Sequence, residues 1–439
     1  MSHTPSLNNP ATRRSHMKRK TMVKLVAPAL ALALVGAACG GGDDDVAGAG
    51  PDDNQATPAS VTSETGASTL RAGLTGLLTE HVYLAALATG SALRGDAEGF
   101  DAYAAALNGP QDSNTSELVA AVGSAYGAET GTAFEGLWRS NGHIPAFVAY
   151  TQAVAAGDKA KADKAVADLL AYAKTFGTTM NQVNSNLPAK AVEEGVTHHI
   201  TTLKAVVDAQ KAGDQPKVYS SLREAYGHMA AFAETLAGAT AAKFPDKFDG
   251  DASSPAADLR AGMTALLREH VFLAASATGA ALGGRMSQFE AAAAALNGPT
   301  ASNTADLVAA VQGVYGDDVG EAFDGLWRSN GHIPAFVAYT QAVAAGDRAK
   351  ADKAVQDVLA YAKTFGTTMN SVNSNLPAAA VEEAIKMHAT TLKAVVDAQK
   401  AGDATKTATA LRDAVHHMSG TADVLAEATV KQFADKFEA

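Results

Sequence analysis

Residues 136–158 read GLWRSNGHIPAFVAYTQAVAAGD, and residues 325–347 repeat them without a change. The offset of 189 also superposes LRAG at 70 on 259, LAYAKTFGTTMN at 170 on 359, and TTLKAVVDAQKAGD at 201 on 390. No gap is needed from Leu70 to Phe248. The chain must therefore fold one pattern twice. A copy of about 180 residues is far longer than a solenoid unit and can enclose its own core. The sequence predicts two tandem domains, 66–248 and 259–439, joined by the linker DGDASSPAAD at 249–258.

Each copy carries its own punctuation. Gly157-Asp158 and Gly213-Asp214 pair a C-terminal glycine with the N-cap of the next helix, and Pro216 falls in the new first turn. Asn108-Gly109-Pro110 reads as a turn, Asn114 with Glu117 as a capping box, and Asn186-Leu187-Pro188 as a helix start. Between the breaks the apolar spacing is helical, as in Leu70, Leu74, Leu77, Leu78, Leu84 and Leu87. Long helices are predicted near 66–94, 128–157 (broken at 142–145), 159–184, 188–212 and 215–243, with shorter ones at 98–107 and 114–126. Abundant alanine and only 6% aromatic residues favour helices packed through small side chains. Short loops make sequential helices antiparallel neighbours. The predicted fold is all-α: two tandem homologous up-down helical bundles.

The first 38 residues hold Arg13, Arg14, Lys18, Arg19, Lys20 and Lys24 and no acid, followed by the apolar run LVAPALALALVGAA. That run is too short to span a membrane comfortably and has the length of a signal-peptide core. Residues 1–38 are accordingly read as a signal peptide, with Met1 or Met17 as its start. Cys39, the only cysteine, follows Ala37-Ala38 as the modified cysteine of a bacterial lipobox does, although Gly36 stands where leucine is usual. Residues 39–65 then form a lipidated Cys39 and a disordered polar tether, which anchors the chain to the outer face of the cytoplasmic membrane. Cleavage near Ala38 and secretion is the alternative. Without residues 1–38 the chain keeps 29 basic against 46 acidic residues, a net −17 that argues against binding nucleic acid. A protein partner is not identified by any motif.

Four histidines match between the copies: His81 with His270, His143 with His332, His199 with His388, and His228 with His417. His81 stands in the apolar stripe of its helix, His199 between Val196 and Leu203, and His228 between Ala225 and Phe232. Each falls near the middle of a predicted helix or, for His143, at the break. Antiparallel helices of similar length bring their midpoints to one level, so the four imidazoles are predicted to share a layer with Tyr172. Glu224 and Asp413, one turn before His228 and His417, are accessory candidates. Such a layer suits a transition metal such as Cu or Zn, or haem. Equally, each histidine can be a buried polar residue bonded to a carbonyl, to Tyr172 or to Glu224. Met229 points about 100° away from His228 on a helix, so the two cannot serve one ion. Met180 and Met369 read more readily as core filling, and His198, which is Met387 in the second copy, as facing solvent or a groove.

Enzyme signatures are missing: the sequence contains no HExxH, GxSxG or P-loop, and no Glu-x-x-His pair of the di-iron bundles. LTEHVYLA (78–85), LWR…HIPAFVAYT (137–151), NSNLP (184–188), REAYGHM (223–229) and FPDKF (244–248) together resemble a family of exported bacterial all-helical proteins. In some members a similar domain follows a copper amine oxidase N-terminal-like module. Amine oxidase activity would need an Asn-Tyr-Asp/Glu motif, and no Asn-Tyr occurs. The second copy reads RDAVHHM, so Tyr226 becomes Val415. The sequence thus points to an exported, membrane-tethered, non-catalytic protein that binds a metal or haem in each bundle. The alternative is a cofactor-free protein of the cell envelope.

Overall fold

Helix ends are written into the chain by glycine and aspartate. In the computed structural model, which describes residues 61–140, 142–328 and 331–438, the first copy comprises α1 (Gly66–Arg94), α2 (Ala97–Asn108), α3 (Asn114–Tyr126) and α4 (Ala128–Glu135). A π-helical turn (Gly136–Ser140) precedes α5 (His143–Ala156), α6 (Lys159–Val183), α7 (Ala189–Ala212) and α8 (Gln215–Lys243). Gly157 and Gly213 take the left-handed conformation (φ 70° and 72°), and Asp158 and Asp214 each accept a backbone N–H of the following helix. The signal peptide, Cys39 and most of the tether lie outside the described residues. No described helix is long and apolar enough to cross a membrane, and no strand occurs among the described residues.

The second copy repeats the first at the same offset: α9 (Pro255–Leu282), α10 (Met286–Asn297), α11 (Asn303–Tyr315), α12 (Asp317–Arg328), α13 (His332–Ala345), α14 (Arg348–Val372), α15 (Ala378–Ala401) and α16 (Ala404–Gln432). The four-residue α17 (Ala434–Phe437) ends it. Within each copy the last four long helices alternate up and down. The first long helix closes the ring, packing on α8 and α5 in one copy and on α16 and α13 in the other. The connection from α1 to α5 runs outside through α2–α4.

One predicted cap differs. Ser113, not Asn114, is the N-cap of α3, and Ser116 completes the box. Asn114 is fully buried and donates to the Leu77 carbonyl (2.8 Å), while Glu117 reaches across to Arg412 (2.8 Å). The NSNLP motif also has a structural task. Buried Asn184 ends α6 and donates to the Tyr126 hydroxyl (3.0 Å) and the Ala239 carbonyl (2.9 Å), tying α6 to α3 and α8.

The two copies share one hydrophobic core and form a single compact unit, where the sequence suggests separate domains. α1 packs along α9, α2 on α16, and α8 on α10. The contacts pair as they do across a two-fold axis, where each patch meets its own equivalent. Tyr83 and Phe272, equivalent positions, stack on each other with centroids 4.5 Å apart and planes at 2°. Arg71 donates to the Ala252 carbonyl and Arg260 to the equivalent Ser63 carbonyl. Glu269 accepts from Arg223 as Glu80 accepts from Arg412. The symmetry is broken around Glu80. Glu80, fully buried, also accepts from Arg268 (2.7 Å) and His416 (3.0 Å), whose equivalents in the first copy are Thr79 and Gly227.

Candidate metal centre

The repeated motif positions the site. After the π-helical turn the chain bends at Gly142, where a Cβ would lie 2.4 Å from the carbonyl oxygens of both Leu137 and Trp138, so only glycine fits. α5 then starts at His143. Pro145 occupies its first turn, where the missing N–H has no intrahelical partner to lose. The bend aims His143 inward, against Trp138 (centroids 4.6 Å apart) and Tyr172 of α6 (5.1 Å).

There it meets His81 from α1 and His199 from α7. Ring centroids are 5.4 Å (His81–His143), 5.5 Å (His81–His199) and 6.1 Å (His143–His199) apart. The second copy gives 5.3, 5.6 and 5.9 Å for His270, His332 and His388. In each trio one ligand nitrogen per ring lies within 4.8 Å of the others, and all six residues are buried. The Nε2 atoms of His81 and His143 are 3.5 Å apart, and those of His270 and His332 are 3.3 Å apart. Two nitrogens bound at 2.0–2.1 Å to a tetrahedral ion are separated by about 3.3 Å. Each trio can hold a metal ion.

Burial sets the electrostatics. It pushes His81 and His143 down to about 3, with the neighbouring imidazoles adding to the effect. His270 is pushed down to about 4 and His388 to about 3, while His199 and His332 lie well below the ordinary histidine range, again chiefly through burial. The start of α5 adds a positive helix end beside His143. These rings are neutral at physiological pH, the form that binds a metal. Three neutral nitrogens suit Zn or Cu and not Ca or Mg, which take oxygen ligands. They converge on one point, with Trp138 and Tyr172 closing the sides. Three imidazoles within reach of one point fit a compact ion.

The predicted fourth histidine does not join. His228 Nε2 donates to the Gly195 carbonyl (2.8 Å), and its ring lies 4.1 Å from that of exposed His198. His417 likewise donates to the Ala384 carbonyl (3.0 Å). The face that α8 turns inward carries Leu222, Ala225, Met229, Phe232 and Ala233, which leaves His228 on its flank. Glu224 and Asp413 are exposed and bring no carboxylate to either trio. Tyr172 does lie where expected, and it and its equivalent Tyr361 each tilt against a trio imidazole with the hydroxyl buried and unpartnered.

Two supports escaped the sequence reading. The side chains of Asn114 and Asn303 lie against His81 and His270 and raise their proton affinity slightly, against the larger effect of burial. Trp138 and Trp327 pack on two imidazoles of each trio, at 5.3 and 4.6 Å in the first copy and 5.2 and 4.6 Å in the second. The shared Ser-Asn-Thr at 113–115 and 302–304 was the available signal for the asparagines. A third cluster, Glu80, Glu117 and His416, has ligand-like spacing. Arg268 and Arg412 already hold both oxygens of Glu80, and their charges would repel a cation. Compared with known families, curated proteins and solved structures, the chain matches none.

Proposed function

We propose that this is an exported, membrane-tethered, non-catalytic protein that holds one transition-metal ion, Cu or Zn, in each of its two helical bundles. The carrying observation is the imidazole trio, present in both copies, with two of its ring nitrogens at the separation of tetrahedral ligands. Export and anchoring rest on the basic and apolar N-terminal run ending at Cys39. The non-catalytic reading rests on trios that contain neither a nucleophile nor a carboxylate base. Holding, buffering or passing on the ion outside the cytoplasmic membrane is the task this composition suits.

One observation favours a second reading. Nitrogens 3.3–3.5 Å apart also suit a ring N–H donating to its neutral neighbour, as in a cofactor-free envelope protein whose histidines are structural. The two tryptophans are the only ones in the chain, and each touches a trio. Copper(II) added to the untagged, metal-free protein should therefore quench the emission of both and saturate at two equivalents, with mass spectrometry giving the same stoichiometry. His81→Ala with His270→Ala should abolish uptake while the protein stays helical. A folded protein that takes up neither copper nor zinc would leave the structural reading in place.

A further inference from the structure

His143 and His199 of the first trio line one end of a pocket whose walls are mostly apolar. Its wall follows α1 through Leu70, Leu74 and Leu78 toward the level of His81, a depth of about 16 Å at 1.5 Å per residue. Half-buried Val122 and Ala125 stand near the outer end, and the wall between is almost wholly apolar. Polar groups stand at both ends: Tyr126 and Thr240, bonded to each other, near Leu70, and His143, His199, Tyr172 and Trp138 toward His81. Tyr172 Oη, Trp138 Nε1 and His199 Nδ1 are buried there without a hydrogen-bond partner.

Charge decides what such a pocket takes. Three neutral imidazoles would leave a bound divalent ion with its full charge in an apolar core, and no carboxylate lines the pocket. Burying an uncompensated charge is strongly unfavourable. An anion in the fourth position relieves this, and the apolar wall requires that the anion carry an apolar tail. Among such anions, the apolar line of Leu78, Leu74 and Leu70 along one helix favours an unbranched chain.

We infer that this pocket admits a fatty carboxylate, whose head completes the coordination of the ion held by His81, His143 and His199 while its tail lies along Leu78, Leu74 and Leu70. The unpartnered donors of Tyr172 and Trp138 stand at the same end as the head. The inference rests on the metal reading above, and its test keeps the two apart.

The full-length untagged chain is first titrated with zinc alone, and then with dodecanoate by calorimetry, with dodecanol as the uncharged match. Zinc-loaded protein should bind dodecanoate at least tenfold more tightly than metal-free protein does, and more tightly than it binds dodecanol. Ala125→Trp, and the smaller plug Ala125→Phe, should remove this binding while still taking up two zinc ions, which shows that they fold. Dodecanoate that binds no better with zinc than without it, or no better than dodecanol, overturns the assignment and leaves the metal centre standing. A failure of the first titration, with no zinc taken up, sinks the metal reading itself and this inference with it.

Discussion

Replacing Glu80 by glutamine tests the contact on which the joined core turns. The carboxylate is fully buried and accepts from Arg268 Nη2 (2.7 Å), Arg412 Nε (2.6 Å) and His416 Nε2 (3.0 Å). Burial alone would raise its pKa, but His416, Arg268 and Arg412 outweigh burial and hold it well below the usual carboxylate range. Glutamine keeps the shape and removes the charge. Arg412 would still have Glu117, whereas Arg268, 5% exposed, would keep only the Ser419 hydroxyl. Breaking a buried pair by removing one partner costs about 3–5 kcal/mol. Because glutamine still accepts one hydrogen bond, we expect about 3 kcal/mol for Glu80→Gln. Adding Arg268→Thr, which installs the residue found at the equivalent Thr79, should recover about half of the loss. Glu269→Gln should cost less, since burial raises the pKa of Glu269 and Arg223 only partly opposes this. Equilibrium urea unfolding, read by circular dichroism and tryptophan emission, measures all three variants. A Glu80→Gln protein within about 1 kcal/mol of the parent, or a double variant no more stable than the single, would refute the reasoning.

Other outcomes follow from the same packing. Tyr83 buries a hydroxyl with no partner where the second copy has Phe272, so Tyr83→Phe should be neutral or stabilising by about 1 kcal/mol in urea unfolding. Gly177→Ala should destabilise by about 1–3 kcal/mol, because its Cβ would stand 2.3 Å from the Ala189 carbonyl oxygen. Gly73→Ala, with nothing within 4 Å, should stabilise by about 0.5–1 kcal/mol in the same assay. In metal-free protein the trio histidines titrate lower when folded than when unfolded, so below about pH 6.5 the unfolded chain binds more protons. Stability should therefore be greatest above that pH and fall toward pH 3–4, by about 1.4 kcal/mol per pH unit for each histidine. Urea midpoints that stay equal between about pH 7.5 and about pH 5 would contradict this.

The helix ends and the break before His143 were legible because their signals are local. Gly157-Asp158, Gly213-Asp214 and Gly142 act through their own backbone, whatever surrounds them. Three of the four histidines were legible because each lies at mid-helix, or at the break, within the apolar spacing of its own helix. α8 is less definite, because His228 and Met229 both lie between Ala225 and Phe232, and neighbours on a helix differ by 100°. The angle that separates them put Met229 inside and His228 out. The shared core could not be read from sequence. Its polar contacts join residues as far apart as Arg268 with Glu80 (188 positions) and Arg412 with Glu80 (332 positions). Neither the charge pattern nor the helical periodicity of one copy carries that information. Asn114 was assigned to a cap because its neighbours Ser113 and Ser116, which make the cap, offered no distinguishing signal.

The stacked Tyr83 and Phe272 mark an axis that separate subunits would ordinarily share, but here both halves lie on one chain. Two free subunits would carry every substitution twice, so an arginine at 268 without its counterpart at 79 could not arise in them. Joined by a short linker, the halves also meet at an effective concentration set by the linker and not by the amount of protein. Dilution cannot part them and exchange cannot shuffle them. Any ions they hold stay at a fixed separation and in a fixed ratio, however little of the protein is present.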